Sequence, residues 1–191
     1  MNKMHPVRIL MMVFALVCAA CSVAMAGPLP RVAIVYVNNA KTTYDAELDA
    51  CVLTNLNNAL AKHFEVAKSD EALQKLASAG MTDLSMAERR DIMDALSGDG
   101  FDYIICLSVE PFVRKEKFSV FTQGIEMTAT VPFKLIDVKG DRYLYNGKFV
   151  EMQSDSTWIG SVGNKSVAIE ALQKVNKGIN KVISEKMLTA K

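Results

Sequence analysis

An alternation of apolar and polar side chains over residues 125–135 constrains the fold of this chain more than any other feature. A period of two is typical of a β-strand with one buried and one exposed face. Such a strand needs a second layer against its apolar face, and the helical segments elsewhere in the chain can provide it. The apolar positions of the alternation are Ile125, Met127, Ala129, Val131, Phe133 and Leu135.

The alternating segment continues to residue 138 and is followed by a turn and a returning strand. Lys139-Gly140-Asp141 separates it from a second run that ends at Met152, which predicts a β-hairpin. Pro132 lacks a backbone amide donor, so it predicts either a sheet edge or a bulge in the first strand.

Further strands and helices are predicted on both sides of this hairpin. Residues 31–37 and 102–109 are apolar and rich in β-branched side chains, as in strands that are covered on both faces. Residues 64–68 form a weaker strand, and the charged residues 114–117 predict an exposed turn. Periodic apolar positions predict helices at residues 44–63, from Ser69 to Gly80, after the capping box Ser85-Met-Ala-Glu88, and at residues 165–187.

The predicted order of elements is β-α-β-α-α-β-β-β-α. Crossovers through helices predict parallel strands in the first half, and the hairpin is antiparallel. The sequence therefore predicts an α/β (α+β) fold, with a single mixed sheet flanked by helices, as one domain over residues 27–191.

Residues 1–26 have the pattern of a secretory signal peptide. Lys3 and Arg8 precede a short apolar run, and Ala24-Met25-Ala26 is a small-residue cleavage signature before Gly27. Cleavage between Ala26 and Gly27 would give a periplasmic or secreted protein. The alternative is a lipoprotein signal with lipidation of Cys21, which would anchor the protein at the outer membrane. The apolar run is short for a membrane span, and no later segment resembles a transmembrane helix.

The composition excludes several classes of function. Lys3 and Arg8 are two of the 22 basic residues of the chain, so 20 basic residues follow residue 26, together with 21 acidic residues. This near balance of charge argues against a nucleic-acid binder. His63, Cys51 and Cys106 are the histidine and cysteines left after residue 26, and their spacing fits no metal site. No motif for a cofactor or for catalysis is found, so we expect a protein that is not an enzyme.

Two local questions stay open in the sequence. A Cys51–Cys106 disulfide would be compatible with an oxidising compartment, although two buried free thiols are favoured. Trp158, next to Ile159 in a polar loop before the last helix, either fills the core or anchors a partner protein. Trp158 and Ile159 are therefore the candidate partner-binding residues.

Three short motifs and the order of elements resemble a superfamily of envelope proteins. The motifs are RVAIVYVN at Arg31–Asn38, DYIICLSV at residues 102–109 and LIDVKG at residues 135–140. The superfamily includes the amino-terminal domain of TolB, the curli secretion lipoprotein CsgG and the LpoB-type activators of penicillin-binding proteins. The resemblance implies a role in docking to other envelope proteins, and it supplies no catalytic residues.

The sequence thus predicts an exported, non-enzymatic protein of the cell envelope that acts as a protein-binding or scaffold module. Two alternatives remain. One is a subunit of a CsgG-like outer-membrane secretion assembly, in which the strand over residues 125–135 faces lipid. The other is an enzyme with an unrecognised site.

Overall fold

A computed structural model describes residues 28–67, 69–118, 122–157 and 163–188, and the described strands form one mixed sheet. The strands are β1 (Arg31–Asn38), β2 (Glu65–Ala67), β3 (Tyr103–Val109), β4 (Val113–Phe118), β5 (Gln123–Asp137) and β6 (Arg142–Thr157). The helices are α1 (Asp45–Leu60), α2 (Ser69–Ser78), α3 (Arg89–Ala95) and α4 (Asn164–Ile183), and a π-helical turn (Ser184–Leu188) continues α4. The predicted fold class is confirmed, with one strand more than the predicted order.

The sheet combines a parallel half and an antiparallel half. β1 lies between β2 and β3 and is parallel to both. β5 is antiparallel to three strands: it pairs with β6 along its whole length, with β3 through Phe133–Asp137, and with β4 through Gln123–Thr128. Because β6 occupies one side of β5 throughout, β3 and β4 follow one another along its other side.

Two hydrophobic cores lie on opposite faces of the sheet. On one face, α1 and α4 pack against β1, β2, β3, β5 and β6, and the apolar stripe of α4 is buried as predicted. On the other face, α2 and α3 cover β1, β3 and only the end of β5 at Ile136. The helices α2 and α3 therefore cover about half of this second face, and the part formed by β4, β6 and most of β5 has none of the described helices over it.

The charged residues 114–117 form the strand β4 and not the predicted turn. All six residues of β4 are exposed, yet each is paired with a residue of β5, from Val113 opposite Thr128 to Phe118 opposite Gln123. The alternation of β5 provides a long template, and pairing with it outweighs the low strand preference of Lys and Glu.

Pro132 is at neither a sheet edge nor a bulge, because β5 has neighbours on both sides. The β3–β5 ladder ends at Leu107–Phe133 and the β4–β5 ladder begins at Val113–Thr128. The Thr130 carbonyl points to this side, where it accepts from the Glu110 amide at 3.0 Å. The backbone nitrogen of Pro132, two residues later, points to the same side of β5. It therefore lies between the two ladders, where no strand partner needs an amide donor from it. The irregularity in β5–β6 pairing is at Leu135/Ile136.

The predicted capping box does not cap α3. The amide and hydroxyl of Ser85 both donate to Asp83 Oδ1, at 2.8 and 2.6 Å, so Ser85 belongs to a turn, and α3 begins later at Arg89. These hydrogen bonds hold the pKa of the Asp83 carboxyl below its usual range. In a capping box the Ser85 amide would donate to Glu88 and the Ser85 hydroxyl oxygen would accept from a helix amide. The Asp83 carboxylate instead accepts from both groups of Ser85.

Candidate protein-docking face

The uncovered half of the sheet presents one continuous surface, which we call the docking face. Ladder register places Val113, Thr128 and Met152 in one row across β4, β5 and β6, with Thr130 opposite Val150 in the next row. These side chains point away from α4, because the alternate residues of β5 form the core beneath that helix. The docking face consists of Val113, Lys115, Thr128, Thr130, Pro132, Lys148, Val150 and Met152.

The centre of the docking face is apolar and accessible to solvent. The side chains of Val113, Val150 and Met152 are 54%, 51% and 51% exposed. Thr128 and Thr130, which lie between them, are half-buried. Single exposed apolar residues are common on protein surfaces, whereas a contiguous patch marks a site of interaction. The three strands hold this patch on a rigid backbone.

A basic rim surrounds this apolar centre. Lys115 and Lys148 flank it on the docking face, and Arg90 projects from α3 beside it; all three are exposed. Within the part of the chain that the structure describes, none of the three forms an ion pair. Glu126 lies opposite Lys115 in the β4–β5 ladder, but it is buried and paired with Lys117, 2.5 Å away. The three exposed side chains of this rim therefore all carry positive charge.

An open cleft of about 550 Å³ separates the docking face from α3. Its base includes Lys134 and Tyr143, and the guanidinium of Arg89 lies 5.9 Å from the centre of the Tyr143 ring. Met86 stands at its border and is 77% exposed. The cleft is lined by Ser85, Met86, Ala87, Glu88, Arg89, Arg90, Lys134, Tyr143 and Asn146.

Lys134 is the buried cation at the base of this cleft, and it has a structural role. Its ammonium donates to the carbonyls of Leu84, Ser85 and Ala87 at 2.8, 2.8 and 2.5 Å. Burial lowers the pKa of this ammonium, while three carbonyl acceptors compensate the desolvation of the charge. Because Lys134 already uses its three donors, it holds the 84–87 turn against β5 and marks the border of the docking face.

A second surface, between α1 and α4, is neutral and rich in amides. This groove has a volume of about 560 Å³. Asn55 and Asn180 exchange two hydrogen bonds at 3.0 and 2.9 Å, and Asn176 donates to the Cys51 carbonyl at 3.1 Å. These bonds fix α1 against α4, and the buried Asn176 Oδ1 accepts no hydrogen bond from any described residue. The lining of the groove is mostly polar and includes one acidic and one basic residue, Glu47 and Lys177, and none of its lining residues is a large exposed apolar side chain.

A polar network occupies the carboxyl end of β1, where parallel sheets commonly bind ligands. The Tyr36 hydroxyl and the Asn38 amide both donate to Asp49 Oδ1 at 2.7 Å. Burial, together with the Asp49 carboxylate, raises the pKa of the Tyr36 hydroxyl well above its usual range. The three groups bond to one another, which ties β1 to α1.

The residues singled out in the sequence are placed as follows. Trp158 and Ile159, like Cys21, Ala26 and Gly27, lie outside the described residues. The partner-binding, lipidation and cleavage roles assigned to them therefore remain predictions. Cys51 and Cys106 are both free, as expected, and pack against the cores on opposite faces of the sheet, but only Cys106 is buried and Cys51 is half-buried. His63 follows the end of α1 at Leu60.

Glu110 and Asp137 are two carboxylates that a general acid–base mechanism would need close together, and the structure places them far apart. Asp137 pairs with Tyr103 at the start of β3. Glu110 lies beyond the other end of that strand, where it accepts from the Ser108 hydroxyl at 2.7 Å. The length of β3 separates the two carboxylates, so they cannot act on one substrate atom.

Within the described ranges, no three histidine, cysteine or acidic side chains lie close enough together to hold a metal ion. No helix in these ranges has both the length and the apolar character that a membrane span requires.

Solved structures, but no protein-family model and no curated protein, match this chain. The hypothetical protein CT253 from Chlamydia trachomatis matches with a TM-score of 0.51 and 12% identity, over 83% of this chain and 97% of that one. TolB from Acinetobacter baumannii matches at 0.41 and 18%, over 84% and 28%. The LpoB C-terminal domain from Salmonella enterica matches at 0.35 and 17%, over 69% and 90%.

The match to CT253 shows a shared fold. TolB and LpoB, which the sequence motifs resemble, are among the structural matches.

The docking face had no signal of its own in the sequence. Val113 lies in a charged segment, and Val150 and Met152 alternate with partly buried residues in β6. Their proximity depends on the pairing of β4 and β6 with the same strand. Their exposure depends on how far α2 and α3 extend across the sheet.

Proposed function

We propose that this chain is an exported, non-enzymatic protein of the cell envelope that binds another protein through the docking face. The observation that carries the proposal is the grouping of Val113, Val150 and Met152, each more than half exposed, on the uncovered half of the sheet. Exposed apolar patches with a polar border are a property of protein interaction sites.

The segment over residues 1–26 supports export. Its basic start, apolar run and small-residue cleavage signature predict a mature chain that begins at Gly27 in the periplasm. Mass spectrometry of the mature amino terminus tests this part of the proposal. A free amino group on Gly27 is the expected result. An acylated Cys21 would instead identify a membrane-anchored lipoprotein.

The non-enzymatic part of the proposal is supported by how the polar side chains are used. Lys134 donates to three backbone carbonyls, and Asp49 accepts from both Tyr36 and Asn38. Catalytic groups are aimed at a space where a reacting atom can lie. Here the hydrogen bonds connect one element of the fold to another.

Site-specific photo-cross-linking tests the use of the docking face. A photoreactive amino acid is placed at position 150 or 152, and in a control at position 177, where Lys177 is exposed at the α1–α4 groove on the other face of the sheet. The cells are irradiated, and the cross-linked product is identified by mass spectrometry.

We expect positions 150 and 152 to cross-link to the same envelope protein and position 177 not to do so. Equal cross-linking at all three positions, or none at 150 and 152, would refute the role of the docking face.

A further inference from the structure

The fold itself indicates what kind of element covers this face of the sheet. On the covered half, α2 and α3 lie over β1 and β3, and Leu76 and Ile92 pack against Ile104 and Cys106. The docking face continues the same side of the same sheet beyond the 84–87 turn. A helix laid beside this existing helix layer would complete it, since one helix layer over a sheet is the ordinary way to bury such a face.

The dimensions of the docking face fit a short helix. Asn146, at the cleft, and Met152, at the far end of the apolar centre, are six residues apart on β6, or about 20 Å. A helix of about 13 residues has this length. Two strand spacings, about 10 Å, separate β4 from β6, which matches the width of a helix with its side chains.

The basic residues around the docking face indicate that the helix that covers it carries acidic side chains. Lys115, Lys148 and Arg90 border the docking face without ion pairs among the described residues, and Glu88 is the acidic residue in the lining of the cleft. A helix with an apolar stripe and Asp or Glu on its flanks would match both the centre and the rim. A second copy of this chain, packed face to face, would bring two basic rims together, so like-charge repulsion disfavours it.

We propose that the docking face binds an acidic amphipathic helix of a partner protein, of about 13 residues, that extends the helix layer formed by α2 and α3. This proposal rests on the proposed function and specifies the chemistry of the partner. The apolar stripe of the helix would cover Val113, Val150 and Met152, and its acidic flanks would face Lys115, Lys148 and Arg90.

Three synthetic peptides test the proposal against the full-length protein. All three are helix-stabilised and about 14 residues long. The first has an apolar stripe with Glu on both flanks, and the second has the same stripe with Lys on the flanks. The third has the composition of the first in an order that destroys the stripe. Binding is measured by fluorescence anisotropy at low and at physiological salt.

We expect the acidic peptide to bind at least 10-fold more tightly than either of the others, and more weakly as salt increases. The double variant Lys115→Glu/Lys148→Glu should invert the preference and bind the Lys-flanked peptide more tightly. Lys177→Glu, an exposed substitution at the α1–α4 groove on the other face of the sheet, should leave the preference unchanged. Far-UV circular dichroism and thermal melting check that each variant is folded.

The proposal would be overturned if the basic peptide or the scrambled peptide bound as tightly as the acidic peptide. Self-association in sedimentation that Val150→Asp abolishes would assign the face to a second copy and would also overturn it. Cross-linking of an envelope protein at positions 150 and 152, combined with no preference for the acidic peptide, would refute this inference while the proposed function stands.

Discussion

Gly178 on α4 lies directly against the ring of Phe149 on β6. A Cβ at position 178 would come within 2.8 Å of Phe149 Cδ1 and 2.9 Å of Cε1. The same ring stacks on Tyr145, with 5.4 Å between ring centres, and meets Phe133 edge-on at 5.8 Å. The absence of a side chain at Gly178 is therefore what allows α4 to approach this aromatic cluster.

We predict that Gly178→Ala lowers the stability of the domain although it improves helix propensity. The propensity gain is about 1 kcal/mol, whereas overpacking against a ring held by two neighbours costs about 1–3 kcal/mol. Urea unfolding followed by circular dichroism measures the net change. In a Phe149→Leu background, where these ring atoms are absent, the same substitution should be neutral or stabilising. A more stable Gly178→Ala protein in the wild-type background would contradict the packing described.

The buried stripe of α4 leads to a second prediction. Leu172 and Ile179 are fully buried between α1 and the sheet, while Lys177 is exposed. Leu172→Asp or Ile179→Asp should unfold the domain, because the core offers an unpaired carboxylate neither water nor a partner. Lys177→Asp should leave the free energy of unfolding within about 0.5 kcal/mol of wild type. Thermal melts that fall equally for all three variants would show that the helix face is assigned wrongly.

The sequence patterns predicted those helices and strands in which the buried residues recur at the spacing of the element itself. The alternation in β5, the apolar runs of β1 and β3 and the stripe of α4 each identify an element that packs over most of its length. The turn at Lys139-Gly140-Asp141 is equally local, and Asp141 adopts a positive φ of 46° in it. In these segments the local and the global preferences agree.

The misplaced elements depend on partners that are distant in sequence. β4 exists because β5 offers it a ladder. The capping box is the exception, because the competing partner of Ser85 is Asp83, only two residues away. The alternation places Lys134 at a polar position of β5, whereas its ammonium reaches carbonyls about 50 residues away in the sequence. The docking face belongs to the same class, because its three apolar residues come from two strands that meet only through β5.

The two cysteines should differ in reactivity in the folded protein. Cys106 is buried between the sheet and the α2–α3 layer, and burial raises the pKa of its thiol to about 12. Burial also raises the pKa of the Cys51 thiol, but Cys51 is only half-buried, at the α1–α4 groove.

Because the thiolate is the reactive form and must reach the reagent, iodoacetamide should modify Cys51 faster than Cys106 at pH 8. Peptide mass spectrometry assigns the modification to each residue, and unfolding in urea should equalise the two rates. A native Cys51–Cys106 disulfide, or faster labelling of Cys106, would contradict the placement of the two residues on opposite faces.

Asp102 should make the stability of the domain sensitive to acid. Its carboxylate pairs with Lys139, 2.5 Å away, and accepts the Arg31 amide at 2.7 Å. The hydrogen bond from Lys139, together with that from the Arg31 amide, holds the pKa of the Asp102 carboxyl below its usual range. Since the folded pKa is lower than the unfolded value of about 3.9, the carboxylate stabilises the folded state above that pH. This stabilisation is lost as the pH falls through the folded pKa.

We therefore predict that Asp102→Asn lowers the melting temperature at pH 7 and that its difference from wild type shrinks as the pH falls below about 4. Circular dichroism melts at pH 7, 5, 4 and 3 measure the difference. Lys139→Met, which removes the main cause of the shift, should reproduce part of the loss at pH 7. It should have little further effect in the Asp102→Asn background, because the two changes remove the same interaction. A difference that stays constant from pH 7 to pH 3 would show that the Asp102 carboxylate does not stabilise the fold through its charge.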